Sequence, residues 1–299
     1  MYYLVFGPLY LLSLLPMPVL YLFSDCIYGI LYYVLKYRKK IVLDNLRTAF
    51  PEKTNAELTV IAKKFYRNFA DTFIETTKLI SAGNNFIRKR YTGDLSVFDD
   101  LYQRGTRCQI HLGHNFNWEI ANVGMPLNIP YKYFLVVYMP VGNRYFDRLF
   151  QFIRKRTGTY LLPATNMRKH MLGYRDKQYC LVLVADQVPG DVSKAYWLNF
   201  FGKPTPFVQG PEKGARAGNV PVVFIHFTKI KRGHYQVHTI LAEENPGSLP
   251  EGELTRRYIH FLEETIRKNP DMWLWSHRRW KREWNAEYQH LWIDTKNPS

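Results

Sequence analysis

Cys108-Gln109-Ile110-His111-Leu112-Gly113-His114-Asn115-Phe116-Asn117-Trp118-Glu119 is the stretch on which the reading of this chain turns. The short apolar run from Cys108 to His111 predicts a buried strand, and Phe116–Val123 carries a helical pattern. His114 then sits at a strand-to-helix turn, where open α/β sheets hold their chemistry. Histidine is the side chain best suited to take a proton from a hydroxyl near neutral pH. Glu119 lies about one helical turn further on. From there a carboxylate reaches back to hold the histidine tautomer and stabilise the imidazolium. A partly buried histidine bonded to a nearby carboxylate is also an ordinary structural feature, so the pair alone does not assign catalysis.

Working outward, further strands are expected at Tyr133–Tyr138, Cys180–Ala185, Val220–Phe227 and Tyr235–Leu241. Helices are expected at Arg144–Thr157, Pro211–Ala217 and Glu251–Lys268. Thr54 and Glu57 form a capping box that opens a helix running to about Leu79. Strands alternating with helices predict an α/β fold, a mixed and mostly parallel sheet flanked by helices. There is no repeat, linker or low-complexity tract. The simplest division is a hydrophobic membrane-anchoring segment over residues 1–40 and one catalytic domain over residues 41–299.

In the first 35 residues only Asp25 is charged. Pro8, Pro16 and Pro18 interrupt this apolar stretch. It reads as a short helix before Pro16 and a longer one from Pro18 to about Tyr37; one of them spans a bilayer, both lie in one leaflet, or the two form a buried hydrophobic hairpin of a soluble protein. No basic leader or small-residue cleavage site marks a signal peptide. Lys36, Arg38, Lys39 and Lys40 follow at once and place the body of the protein in the cytoplasm.

The formal net charge of +16 falls on the remainder and calls for an anionic partner. The 22 Tyr, 19 Phe and 7 Trp exceed what a core needs and suit a membrane interface. Basic residues are scattered rather than gathered on one stripe, and no recognition-helix pattern appears, so nucleic acid is not the expected partner. Three cysteines, Cys26, Cys108 and Cys180, lie far apart and argue against disulfides or a zinc knuckle. All three are expected to be buried thiols. No Gly-x-Ser-x-Gly elbow is present, which removes the commonest hydrolase route.

An ordered set of segments carries a resemblance. Asn45 to Phe50-Pro51-Glu52, Gly113-His114 to Glu119, Asn143 and Asp147 with Arg154 and Arg156, Asp186-Gln187, Phe200-Phe201-Gly202, and Pro270 to Lys281 follow one another along nearly the whole chain. In this the sequence resembles the late lipid A acyltransferases, the lauroyl/myristoyl group, which are distant relatives of the glycerolipid acyltransferases. The resemblance implies acyl transfer from acyl-acyl carrier protein to a hydroxyl of a lipid A precursor at the inner membrane. It implies His114 as general base with Glu119 orienting it, and no cofactor or metal beyond the acyl-carrier co-substrate. Another acceptor, such as an aminolipid, a lysophospholipid or a pigment, fits the same chemistry. A basic membrane-surface binding protein without activity is the alternative from another class.

By the same resemblance Arg154 or Arg156 faces the thioester carbonyl or the carrier's phosphate; a solvated basic helix face is the plainer alternative. Asn117, Asn143, Asp186 and Gln187 are expected to meet substrate. Asp186 either organises the site or contacts the sugar headgroup, or simply caps its turn. The family often has an arginine where this chain has Met139. Phe200-Phe201-Gly202 lines an acyl tunnel or packs as core. Trp273 to Lys281, aromatic and basic together, suits an anionic lipid surface, or stacks within the fold. His111 reads as structural rather than as a metal ligand.

Overall fold

The computed structural model describes residues 2–296 and 298. Met1, Asn297 and Ser299, at the limits of the two expected domains, lie outside the described residues. The chain opens with α1 (Tyr2–Leu14) and α2 (Met17–Gly29), parted at Pro16. α2 runs into a π-helical turn, Ile30–Val34, so the second apolar helix ends earlier than Tyr37. Next come α3 (Lys39–Ala49) and α4 (Asn55–Lys78), whose start is fixed by the expected box: Glu57 N donates to Thr54 Oγ1 (3.3 Å) and Thr54 N to Glu57 Oε2 (2.8 Å).

The α/β part follows as α5 (Asn84–Arg88), β1 (Tyr91–Gly93), α6 (Ser96–Gln103), β2 (Cys108–Leu112), α7 (Trp118–Gly124), β3 (Tyr133–Tyr138), α8 (Arg144–Lys155) and β4 (Thr159–Pro163). It continues through α9 (Met167–Met171), β5 (Tyr179–Val184), the hairpin β6 (Ala195–Phe200) and β7 (Lys203–Val208), α10 (Gly210–Gly218), β8 (Val222–Lys231), β9 (His234–Glu243) and α11 (Glu253–Lys268).

Seven strands form one sheet in the order β1-β9-β8-β2-β5-β3-β4. All neighbours run parallel except the β8–β9 pair. β2 is central and buried on both faces, although its sequence alternates: Cys108, Ile110 and Leu112 are apolar, and Gln109 and His111 between them are buried polar residues. Its two faces still differ. Ile110 and Leu112 pack with Ala121 of α7 and with Met125 just after it. His111 points the other way, against Phe224 and Tyr258.

The apolar start does not stand apart from the rest. Met17, Leu20, Ser24 and Tyr28 of α2 recur at helical spacing and are buried, and Ser24 Oγ donates to Asp71 of α4 (2.7 Å). Cys26 lies off that stripe and is exposed, contrary to expectation, whereas Cys108 and Cys180 are buried and paired in register on β2 and β5. Leu22, Tyr33, Val34 and Leu35 are exposed. The helix Met17–Val34 is long and apolar enough, by length and composition, to cross a membrane.

His111 is structural, as expected. The Gln109 amide, turned so that its nitrogen donates to His111 Nε2 (3.0 Å) and Pro211 O (3.1 Å), accepts from Ala215 N (3.2 Å) through its oxygen. Burial pushes the His111 pKa from its ordinary 6.5 down to about 3. The folded ring therefore stays neutral while the unfolded ring takes a proton below pH 6.5. Stability is unaffected above that pH and falls as pH drops toward the folded value. The expected loss from this ring at pH 5.5 is about 1.4 kcal/mol. Thermal melts at pH 7.5 and 5.5 check it: His111→Gln should reduce the difference by this amount, with the remainder left to His226 and His277, whose burial also lowers their pKa.

Candidate active site

β2 and β5 are adjacent, parallel and in register, with Leu112 opposite Val184. Two residues beyond each, His114 and Asp186 therefore leave the carboxyl edge of the sheet side by side. Asp186 Oδ1 lies 2.6 Å from His114 Nδ1, and Asp186 Oδ2 accepts from the His114 backbone N–H (2.7 Å) and from Trp273 Nε1 (2.6 Å). Gly113 makes this approach possible: a Cβ there would meet Leu262 Cδ1 at 2.6 Å and Asp186 Oδ2 at 3.1 Å.

Asp186 is buried, and burial works to raise its pKa. The facing His114, with its ring and backbone N–H groups, and the Trp273 indole outweigh that and hold it at about 2. An ionised Asp186 requires the proton of a neutral His114 ring on Nδ1. The Gln187 amide nitrogen lies 3.3 Å from Nε2 and can donate to its lone pair. Nε2 is thus the basic end, and His114 and Gln187 both line a cavity of about 530 Å³.

Glu119 also lines the cavity but does not orient His114. Its carboxylate is held by Arg154 in a two-pronged pair, Nε to Oε2 (2.9 Å) and Nη2 to Oε1 (2.5 Å), and by Trp118 Nε1 (3.1 Å). The expected His114–Glu119 contact is replaced for a geometric reason: α7 begins at Trp118, and Asp186 from the neighbouring strand already occupies Nδ1. Trp118 stands edge-on to the His114 ring, with centroids 5.7 Å apart, and so links the two groups.

The two arginines separate. Arg154 faces the cavity, whereas the Arg156 guanidinium binds the Ala82 carbonyl and lies outside the cavity wall. Asn117 and Asn143 are helix caps rather than cavity residues. Asn117 Oδ1 accepts from Glu119 N (3.0 Å) and Ile120 N (3.3 Å), and Asn143 Oδ1 accepts from Tyr145 N (3.0 Å) and Phe146 N (3.4 Å). Asp147 closes the loop before α8 by accepting from Val141 N (2.8 Å).

From this polar mouth the cavity runs between α7 and the sheet. Leu112, Ala121, Met125, Phe134, Ile225 and Phe227 wall its apolar part. Phe200 and Phe201 are buried in the packing around β6, not in this wall. In the Trp273–Lys281 segment Trp273, Trp275 and Arg279 are interior, 1%, 0% and 0% exposed, which removes these three from any lipid surface, while Arg278 and Lys281 are exposed. The segment instead closes the site from behind, with Trp273 on Asp186 and His277 Nε2 accepting from Val188 N (3.2 Å). Asn45 ties it down by donating to the carbonyls of Trp275 and His277, both at 2.7 Å. The sequence pattern marks these residues but does not show that they brace the site from within. Among the described residues no group of three or more potential metal ligands occurs.

The family model described as bacterial lipid A biosynthesis acyltransferase matches residues 1–282. No curated protein matches the sequence.

Proposed function

This chain belongs to the bacterial lipid A biosynthesis acyltransferase family, and from that premise we propose that it moves a fatty acyl chain from acyl-acyl carrier protein to a hydroxyl of a lipid A precursor. The observation that carries this reading is His114, fixed through Nδ1 on Asp186 and presenting Nε2 to a largely apolar cavity.

His114 Nε2 takes the acceptor's hydroxyl proton as the oxygen attacks the thioester carbonyl. Asp186 stabilises the imidazolium. The tetrahedral intermediate collapses with loss of the carrier's thiolate, which receives the proton from Nε2. The ester bond forms as the thioester breaks, and no covalent enzyme intermediate is required. Arg154, held by Glu119 at the mouth, supplies positive charge toward the oxyanion. The apolar wall takes the acyl chain. The basic surface (+16) suits an acidic carrier protein. The apolar start anchors the protein in the inner membrane, and the basic run after it keeps the catalytic body on the cytoplasmic side. The reaction needs no cofactor beyond the acyl-carrier co-substrate.

Acyl placement has its own test. Ala121 is 4% exposed in the wall, so Ala121→Phe fills part of the cavity. Donor competition assays should show the preference moving to shorter chains, by about four-fold for each methylene the wall no longer covers. An unchanged chain-length profile would place the acyl group elsewhere.

A further inference from the structure

Behind the site lies a buried carboxylate that the reaction does not touch. Glu75, in the last turn of α4, is 5% exposed and accepts three hydrogen bonds. They come from Tyr21 Oη of α2 to Oε1 (3.0 Å), from Asn117 Nδ2 to Oε2 (2.9 Å), and from Tyr235 Oη to Oε2 (2.7 Å). Burying a carboxyl group is costly unless its oxygens are satisfied, and here both oxygens are.

What it holds is the start of the catalytic helix. Asn117 turns its amide nitrogen to Glu75, which fixes its oxygen toward the N–H groups of Glu119 and Ile120. With its nitrogen donating to Glu75 and its oxygen accepting from two backbone N–H groups, the Asn117 amide has one usable orientation. That orientation sets the first turn of α7, from which Trp118 and Glu119 reach His114 and Arg154.

We propose that Glu75 is a positioning residue for this active site: through the Asn117 cap it sets the first turn of α7 and thereby the Glu119–Arg154 pair, and through Tyr21 it joins that turn to the apolar N-terminal helix. This rests on the acyl-transfer reading above, because the pair matters to turnover only if the cavity mouth is where transfer occurs.

The contact can be inverted chemically. Asn117→Asp keeps an equally good helix cap but sets a carboxylate against Glu75. Adding Glu75→Gln restores a donor between the two positions. With folded, detergent-solubilised full-length protein, Asn117→Asp should lower kcat by about ten- to a hundred-fold with little change in KM. The Glu75→Gln/Asn117→Asp double variant should recover at least about ten-fold of that loss, a coupling a general packing role would not give. Asn117→Ser, which caps but is too short to bridge to Glu75, should show the kcat loss without rescue by Glu75→Gln.

Wild-type turnover in Asn117→Asp, or equal losses in the single and double variants, overturns the proposal. So does failure of both Asn117 variants to fold, because the contact would then hold the fold rather than the site. Glu119→Gln, assayed alongside, separates the two readings. If it is inactive while Asn117→Asp is active, only the positioning role fails; if it turns over normally, the reading of the cavity mouth fails.

Discussion

Asp186→Asn is expected to lower turnover by about 10³–10⁴-fold, the scale seen when the orienting acid of a Ser-His-Asp triad becomes an amide. The carboxylate makes three contacts: the His114 ring nitrogen, the His114 backbone N–H and the Trp273 indole. An amide in its place can keep an oxygen toward the two Oδ2 donors. Its nitrogen then faces His114 Nδ1 and forces the ring proton to Nε2, the end that must accept a proton from the acceptor hydroxyl. Fold and substrate affinity should change little, so the loss should appear in kcat. Steady-state kinetics beside a thermal melt checks this. An Asp186→Asn protein with kcat within a few-fold of wild type would return the orienting role to Glu119.

Glu119→Ala is expected to abolish measurable transfer and also to weaken the fold. The Glu119 side chain is 4% exposed and that of Arg154 19%, so removing the acid strands a guanidinium in a poorly hydrated place. Breaking such a pair from one side costs about 3–5 kcal/mol. Adding Arg154→Met removes the stranded charge and should return most of the stability, but not the activity, because Arg154 is the cation assigned to the oxyanion. Denaturant melts and product assays on the single and double variants separate the two effects. Restoration of activity in the double variant would show the pair to be structural only.

Much of this site was legible from the chain, though unevenly. His114 was found because a strand followed by a turn and a helix leaves a local pattern, and Tyr133–Tyr138 was placed to the residue for the same reason. Sequence proximity points to Glu119 as its partner, and the structure has Asp186 there instead. Asp186 is 72 positions away from His114, and only the β2–β5 register brings them together. Nothing in local periodicity reports which strands are neighbours.

The resemblance puts Asn117 and Asn143 at the substrate. Their cap geometry explains them instead, and each is indeed followed by a helix. The Trp273–Arg279 segment misled through composition, since aromatic and basic residues together describe a membrane interface as well as they describe a buried stack. The hairpin strand β7 was hidden by Pro204 and Pro206. Their missing N–H groups fall on alternate residues of a strand whose one partner is β6, so they are tolerated where a central strand would exclude them.

The most direct measurement is the mass of the lipid product after mixing the full-length protein with acyl-acyl carrier protein and a lipid A precursor, beside the Asp186→Asn variant. The account requires a gain of one acyl chain on the precursor with wild-type protein and its near absence with the variant. An unmodified precursor beside an intact acyl-carrier thioester, or equal product from the variant, would contradict it.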